Sequence, residues 1–174
     1  MIYYTADTHF GDGRMIRLCN RPFKTLSEMN SEMIRRWNAA VDTNDDVYII
    51  GDFAYGYRGD FKLLTESLNG KLHLIPGNHD GNWLKNCQYR NIFDVRQIIT
   101  TINDAGRLVV LCHYPLCAFD GSLTGGYHVY GHVHNNHNEP NYGLLGQLKN
   151  SYNAGVDVND FAPVTLDHMI EASI

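Results

Sequence analysis

Seven side chains spread along this chain have the chemistry of metal ligands. They are Asp7 and His9 in Asp7-Thr8-His9, Asp52 after Gly51, Asn78 in Gly77-Asn78-His79-Asp80, His113, and His132 with His134 in Gly131-His132-Val133-His134. Read in order, they form the ligand set of a two-metal centre. Two ions ~3.5–4 Å apart need an anion between them to offset their repulsion, and one carboxylate with two oxygens can serve both. A nitrogen and oxygen shell without thiolate suits Mn, Fe, Zn, Co or Ni and argues against Ca or Mg alone. His132 and His134 are two apart, a spacing that puts both on one face if they lie on a strand. Taken singly, each residue has a blander reading, because Asp, Asn or His after a strand is commonly turn or capping chemistry.

Each cluster follows a short apolar, β-prone run. Ile2-Tyr3-Tyr4 precedes the first, Val47–Ile50 the second, Leu72–Ile75 the third, Leu108–Leu111 the fourth and Val129-Tyr130 the fifth. Such runs, ending in Gly, Asp or Asn, predict buried strands that open into loops. Polar groups gathered at strand ends suggest one site at a sheet edge. Between the first two clusters, Leu26, Met29, Met33, Trp37 and Ala40 recur at three- and four-residue steps. With Thr25 as N-cap and Glu28 three residues on, residues 26–41 read as an amphipathic helix. A shorter helix is expected from Phe61 to Asn69, closed by Gly70, and a small one near Trp83 to Gln88. Asp104-Ala105-Gly106 predicts a hairpin between strands at Arg96–Asn103 and Arg107–Leu111. Two further strands are expected at Tyr127–Tyr130 and Ser151–Val156, and a terminal helix at Leu166–Ala172.

The same residues carry a family resemblance. Asp7-Thr8-His9, Gly51-Asp52, Gly77-Asn78-His79-Asp80, His113 and Gly131-His132-Val133-His134 resemble, in order, the five blocks of the calcineurin-like metallophosphoesterases. Asp7-Thr8-His9-Phe10-Gly11, with Cys19-Asn20-Arg21-Pro22-Phe23, is further similar to a branch of small, single-domain bacterial and phage phosphoesterases. That branch implies His after Phe-Gly where this chain has Asp12, so a substrate contact from that position is not carried over. The resemblance implies a four-layer α/β/β/α sandwich with two mixed sheets and outer helices. It implies Asp52 as the metal bridge, with Asp7, His9 and His134 completing one site and Asn78, His113 and His132 the other. It also implies two-metal hydrolysis of a phosphate monoester or diester by a metal-bridging hydroxide, since metals lower the pKa of water from ~16 toward 7. His79 is then the expected general acid, with Asp80 holding its imidazole and raising its pKa. The competing role for Asp80 is a cap on the helix before Trp83.

Composition bounds the rest. The chain of 174 residues suits a single domain over residues 1–174, without linker, repeat or low-complexity tract. No apolar run is long enough to span a membrane. The start lacks the pattern of a signal peptide and already carries Asp7, so a cytoplasmic protein is expected. The net charge of −5, from 14 basic and 19 acidic residues, disfavours an extended nucleic-acid surface. It allows a small phosphorylated substrate, because bound metals reverse the local potential. The four cysteines contain no Cys-x-x-Cys pair, so reduced, mostly buried thiols are expected. His73, His128 and His168 read as structural, and His137 as a candidate substrate contact. Arg14, Arg21 and the loop 121–126 are further residues that could approach a substrate. No phosphate-cradling glycine loop is present. Two other functions remain open. A non-catalytic scaffold of the same fold would be expected to lose ligands or His79. A nuclease-like phosphodiesterase acting on nucleic-acid ends would need a basic stripe. The sequence does not fix an oligomeric state.

Overall fold

The computed structural model describes residues 1–138 and 142–173. The first sheet has the order β1 (Ile2–Thr5), β2 (Asp46–Ile50), β3 (Lys71–Ile75) and β4 (Asp94–Val95), all parallel. The second sheet runs β5 (Ile99–Asp104), β6 (Arg107–Cys112), β7 (Tyr127–Tyr130), β8 (Ser151–Asn153), with one antiparallel pair followed by two parallel ones. The mixed character expected of both sheets therefore lies in the second. The first acquires an antiparallel neighbour through the isolated Tyr4–Val164 bridge.

Both faces of the first sheet are covered, which is why its strands read as continuous apolar runs. On one face, Tyr3, Val47, Ile49 and Leu74 pack against Met29, Met33 and Trp37 of α2 (Leu26–Ala40). On the other, Tyr4, Tyr48, Ile50 and Ile75 meet Val109, Leu111 and Val129 of the second sheet. The start of α2 follows its sequence signal. The Thr25 hydroxyl accepts from Glu28 N at 3.1 Å, and the Glu28 carboxylate accepts from Lys24 N at 2.7 Å, one residue before the cap. The short α1 (Met15–Leu18) precedes α2, and the next helix after it, α3 (Phe61–Glu66), is capped by Asp60. It stops earlier than expected. The hydroxyls of Thr65 and Ser67 turn back onto main-chain carbonyls, and Gly70 then takes φ +96°.

The short segment after the third strand splits into a 3₁₀ turn at Trp83–Lys85 and α4 (Cys87–Arg90). Strand β5 begins at Ile99 rather than Arg96, because Arg96 N still donates to Leu74 O of the first sheet at 2.8 Å. The hairpin turn is Ala105-Gly106, both with positive φ, and Asp104 stays in the ladder opposite Arg107. Strand β8 also ends early. Ala154 N donates to Tyr130 O in the second sheet while Ala154 O accepts from Ala6 N after β1, so the chain leaves one sheet for the other. The outer cover of the second sheet is thinner than a full helical layer. The segment 114–126 lies there, its Leu116 N–H donating to His128 at 3.0 Å and its Phe119 ring 5.3 Å from that imidazole. The short α5 (Tyr142–Leu145) follows, and α6 (Leu166–Glu171) seals the space between the sheets with Leu166 and Met169.

Cys19 and Cys112 are buried, whereas Cys87 and Cys117 are exposed, so only half of the thiols match the buried expectation. Among the described residues no helix is long and apolar enough to cross a membrane.

Candidate metal centre

All seven proposed ligands converge beyond the C-terminal ends of β1, β2, β3, β6 and β7. Five of them, Asp7, His9, Asp52, His132 and His134, have φ between 49° and 72°. Non-glycine residues rarely adopt this left-handed conformation, and they cluster in it at functional sites. Two neighbouring positions must be glycine for space. A Cβ on Gly51 would collide with the His113 ring, and one on Gly131 would lie 2.5 Å from Ala6 Cβ and 2.7 Å from Asp7 Oδ2.

The residues fall into two groups. In the first, Asp7, His9 and His134 bring one ligand atom each within 4.8 Å of one another. In the second, His113 Nε2 lies 3.1 Å from Asn78 Oδ1, and the His132 ring stands 5.1 Å from the His113 ring. Asp52 lies between them, its Oδ2 3.6 Å from His9 Nε2 and 3.5 Å from His113 Nε2. Its Oδ1 accepts from His79 N at 2.8 Å. Asp7 also lies close to Asp52 and His113, so both carboxylates sit centrally. His132 and His134 are not on a strand: β7 ends at Tyr130, and the turn after it sends one imidazole to each group.

The donor set fits divalent cations on the structure's own account. Asp7 Oδ1 and both ring nitrogens of His9 are buried without a hydrogen-bond partner. Each such atom costs ~1–3 kcal/mol when nothing satisfies it. Burial pushes Asp7 up to about 6 and drives His9 down to about 3. At Asp52 burial acts upward, but His113, the His79 amide and His9 together bring the carboxyl down to about 2. Burial works against charge on His134 and His113 as well, but Asp157 brings His134 up to about 10 and Asp52 raises His113. In the metal-free site the ionised Asp52 is thus balanced by protons on imidazoles, positive charge that a bound cation would replace.

Several supporting residues went unread in the sequence. The His134 Nδ1 lies 2.7 Å from Asp157 Oδ2, leaving Nε2 to face the site. Asp157 is in turn held by Arg21 at 2.8 and 3.1 Å. Arg21 was a candidate substrate contact, but its buried guanidinium instead donates to Asp7 O at 2.8 Å and Thr8 O at 2.9 Å. A signal for Asp157 was present. It follows Ala154-Gly155-Val156 at the end of an expected strand, the same apolar-run-then-Asp pattern that marks Asp7 and Asp52. The Cys19 thiol also lies within reach of His134 and Asp157.

Asp80 does not hold the His79 imidazole. Its buried carboxylate accepts from the main-chain N–H groups of Asp52, Phe53 and Gly77 and from Trp83 Nε1, at 2.8–3.1 Å. It thus joins the two loops that carry Asp52 and Asn78. A carboxylate this deeply buried needs such donors, and the half-exposed His79 ring is not placed among them. His79 itself faces the site, with Nε2 4.0 Å from Asp52 Oδ2 and its ring 4.9 Å from Tyr55.

Asp12 is buried and pairs with Arg14 at 2.7 and 2.8 Å, and Arg14 lies 4.7 Å over the Tyr55 ring. His137 packs against Tyr142 at 4.4 Å. The loop 121–126 closes on itself beside Leu108, at the other end of β6 from His113. His73 lies 2.8 Å from both Asp46 and Asp94, and His128 is buried between Val110 O and Leu116 N, as structural histidines should be.

Comparison with known proteins places this architecture. The family model of the calcineurin-like phosphoesterases matches residues 1–166, and the chain belongs to that family. It is 33% identical to an uncharacterized protein of Methanocaldococcus jannaschii, over 98% of this chain and 89% of that one. It is 30% identical to the Gene 66 protein of Mycobacterium phage L5, over 45% of this chain and 39% of the phage protein. A crystal structure of a protein of unknown function from Aquifex aeolicus superposes with a TM-score of 0.76 at 22% identity, covering 100% and 99% of the two chains. That likeness establishes the fold.

Proposed function

We propose that this protein uses two divalent transition-metal ions to hydrolyse a phosphate monoester or diester of a small molecule. The observation that carries the reading is the position of Asp52 Oδ2, within 3.6 Å of an imidazole from each ligand group. Asp7, His9 and His134 would hold one ion, Asn78, His113 and His132 the other, and Asp52 both. When bound, such ions lower the pKa of water toward 7 and offset the charge of phosphoryl oxygens.

The protein's own groups do the remaining work. The His134–Asp157 contact fixes which imidazole nitrogen faces the site, and Ile50 O does the same for His113 Nδ1 at 2.9 Å. His79 is anchored through its main-chain N–H to Asp52 Oδ1 and keeps its ring on the solvent side. From there Nε2 can protonate the departing ester oxygen, which matters most when that oxygen is a poor leaving group. Asp80 acts indirectly, as a positioning residue, by fixing the loop on which His79 stands. The intact ligand set and the outward imidazole favour an enzyme over a non-catalytic scaffold.

The test is a substrate panel on protein stripped by chelator and reloaded with single metals. It includes p-nitrophenyl phosphate, bis-p-nitrophenyl phosphate and cyclic nucleotides. Hydrolysis should vanish on stripping and return with Mn or another transition metal better than with Mg, since imidazole prefers transition metals. Full turnover in metal-free protein would overturn the proposal, as would no turnover with any metal.

A further inference from the structure

A hollow of about 450 Å³ opens beside the metal centre, with His79 in the wall between them. That volume is within the usual range of small-molecule sites, ~300–1,000 Å³. Its other walls are Tyr55, Tyr57, Trp83 and Tyr89, and Asn82 lines it as an exposed amide. Apart from His79, no lining residue is a Lys, Arg or His, so the hollow does not suit a second phosphate. It suits a neutral, flat group. The rings are held firmly: Trp83 donates to Asp80 at 3.1 Å, and Tyr89 stacks on buried Phe61 at 4.7 Å and 19°. Tyr55 lies under Arg14 at 4.7 Å and meets the His79 ring edge at 4.9 Å.

We propose that this aromatic hollow seats the nucleobase of a nucleotide whose phosphate lies on the metal centre. The inference rests on the phosphoesterase reading and names its substrate class. Aromatic faces stack any base, and the Asn82 amide, with one donor and one acceptor end, can pair with a base edge. A bare sugar has hydroxyls on nearly every carbon, and these walls offer few polar partners for them.

The metal-loaded protein is titrated with adenosine, which has a base but no phosphate, while tryptophan emission is followed. Trp83 lines the hollow and the other tryptophan, Trp37, is 1% exposed, so a saturable change reports the hollow. Tyr55→Ala should weaken adenosine about tenfold, the scale of losing one base–ring stack, while Tyr55→Phe should stay near wild type. Should Tyr55→Ala fail to fold, Asn82→Ala at its exposed position is expected to weaken adenosine about threefold, the scale of one hydrogen bond. In turnover, AMP should exceed ribose 5-phosphate in kcat/KM by about tenfold, from the same stacking. No saturable response to adenosine, an unchanged Kd in both Tyr55→Ala and Asn82→Ala, or equal turnover of AMP and ribose 5-phosphate overturns the assignment. Cleavage of p-nitrophenyl phosphate without adenosine binding rejects the hollow alone. Saturable adenosine binding with no ester hydrolysed under any metal rejects the hydrolase reading and leaves the base site standing.

Discussion

On the side of Asp7, His9 and His134 the candidate ligands rest on charge, whereas on the side of Asn78, His113 and His132 they rest mainly on neutral groups. The first side contributes its own carboxylate and is backed by the buried Asp157–Arg21 pair. The second has an amide and two imidazoles, with His113 braced by a main-chain carbonyl. Exposure does not follow the same division, since His113 is as buried as Asp7 and His134 is as half-buried as His132. Only Asn78, on the second side, is exposed. Because the charged groups lie mainly on the first side, two ions held side by side would meet different electrostatic surroundings. The charged side should hold its ion more tightly, and the neutral side should exchange first.

The largest effect is expected where the two sides meet. Asp52→Asn removes the charge common to both, and turnover should fall on the order of 10³-fold or more, with metal content below that of His9→Ala or His113→Ala. Two ions per chain and near-normal turnover in Asp52→Asn, by elemental analysis and kinetics, would remove the bridge and with it the comparison. His79 belongs to neither side. His79→Ala should keep both ions yet lose about 10²–10⁴-fold for an alkyl leaving group. The loss should be distinctly smaller for p-nitrophenolate, which departs without a proton. Equal losses for good and poor leaving groups would assign His79 to phosphate positioning instead.

Asp157→Asn sharpens the comparison by weakening only the charged side. Metal affinity there should fall about 10–100-fold, the usual scale for such supporting partners, while the neutral side is unchanged. Competitive titration with a graded chelator reads both sites, and parallel losses at the two would show that they are coupled through the shared carboxylates. The smallest effect concerns stability without metal. His9→Asn tolerates the left-handed backbone better, so the metal-free Tm should rise by roughly 2–4 °C, the shift that goes with about 1 kcal/mol. A lower Tm in calorimetry would mean that the lost ring packing outweighs the relieved strain.

The convergence of the seven candidate ligands was legible because each cluster ends a short apolar run with residue types that chemistry constrains. The supports were not. Arg21 and Asp157 are 136 positions apart and share no motif, and their meeting depends on the chain crossing from β8 to β1 at Ala154–Val156. That crossing also shortened the last expected strand. Asp80 was misread for a related reason, since a Gly-Asn-His-Asp string displays adjacency and hides the three main-chain donors that claim the carboxylate. The helix α2 could be read almost to the residue, because a cap and a period of 3.6 are local signals. The cover over the second sheet is an irregular segment with no period, and so left no trace.

The left-handed backbone at five of the candidate ligands also bears on how this protein tolerates change. Mutational drift screened only for folding would replace these residues readily, His9 first, because nothing in the metal-free chain rewards its ring nitrogens. Libraries selected for heat resistance alone should accordingly accumulate Asn or Gly there and return sturdy, inactive proteins. Retention of histidine at that position under such a screen would show that the metal is bound during selection and is itself part of what keeps the fold together.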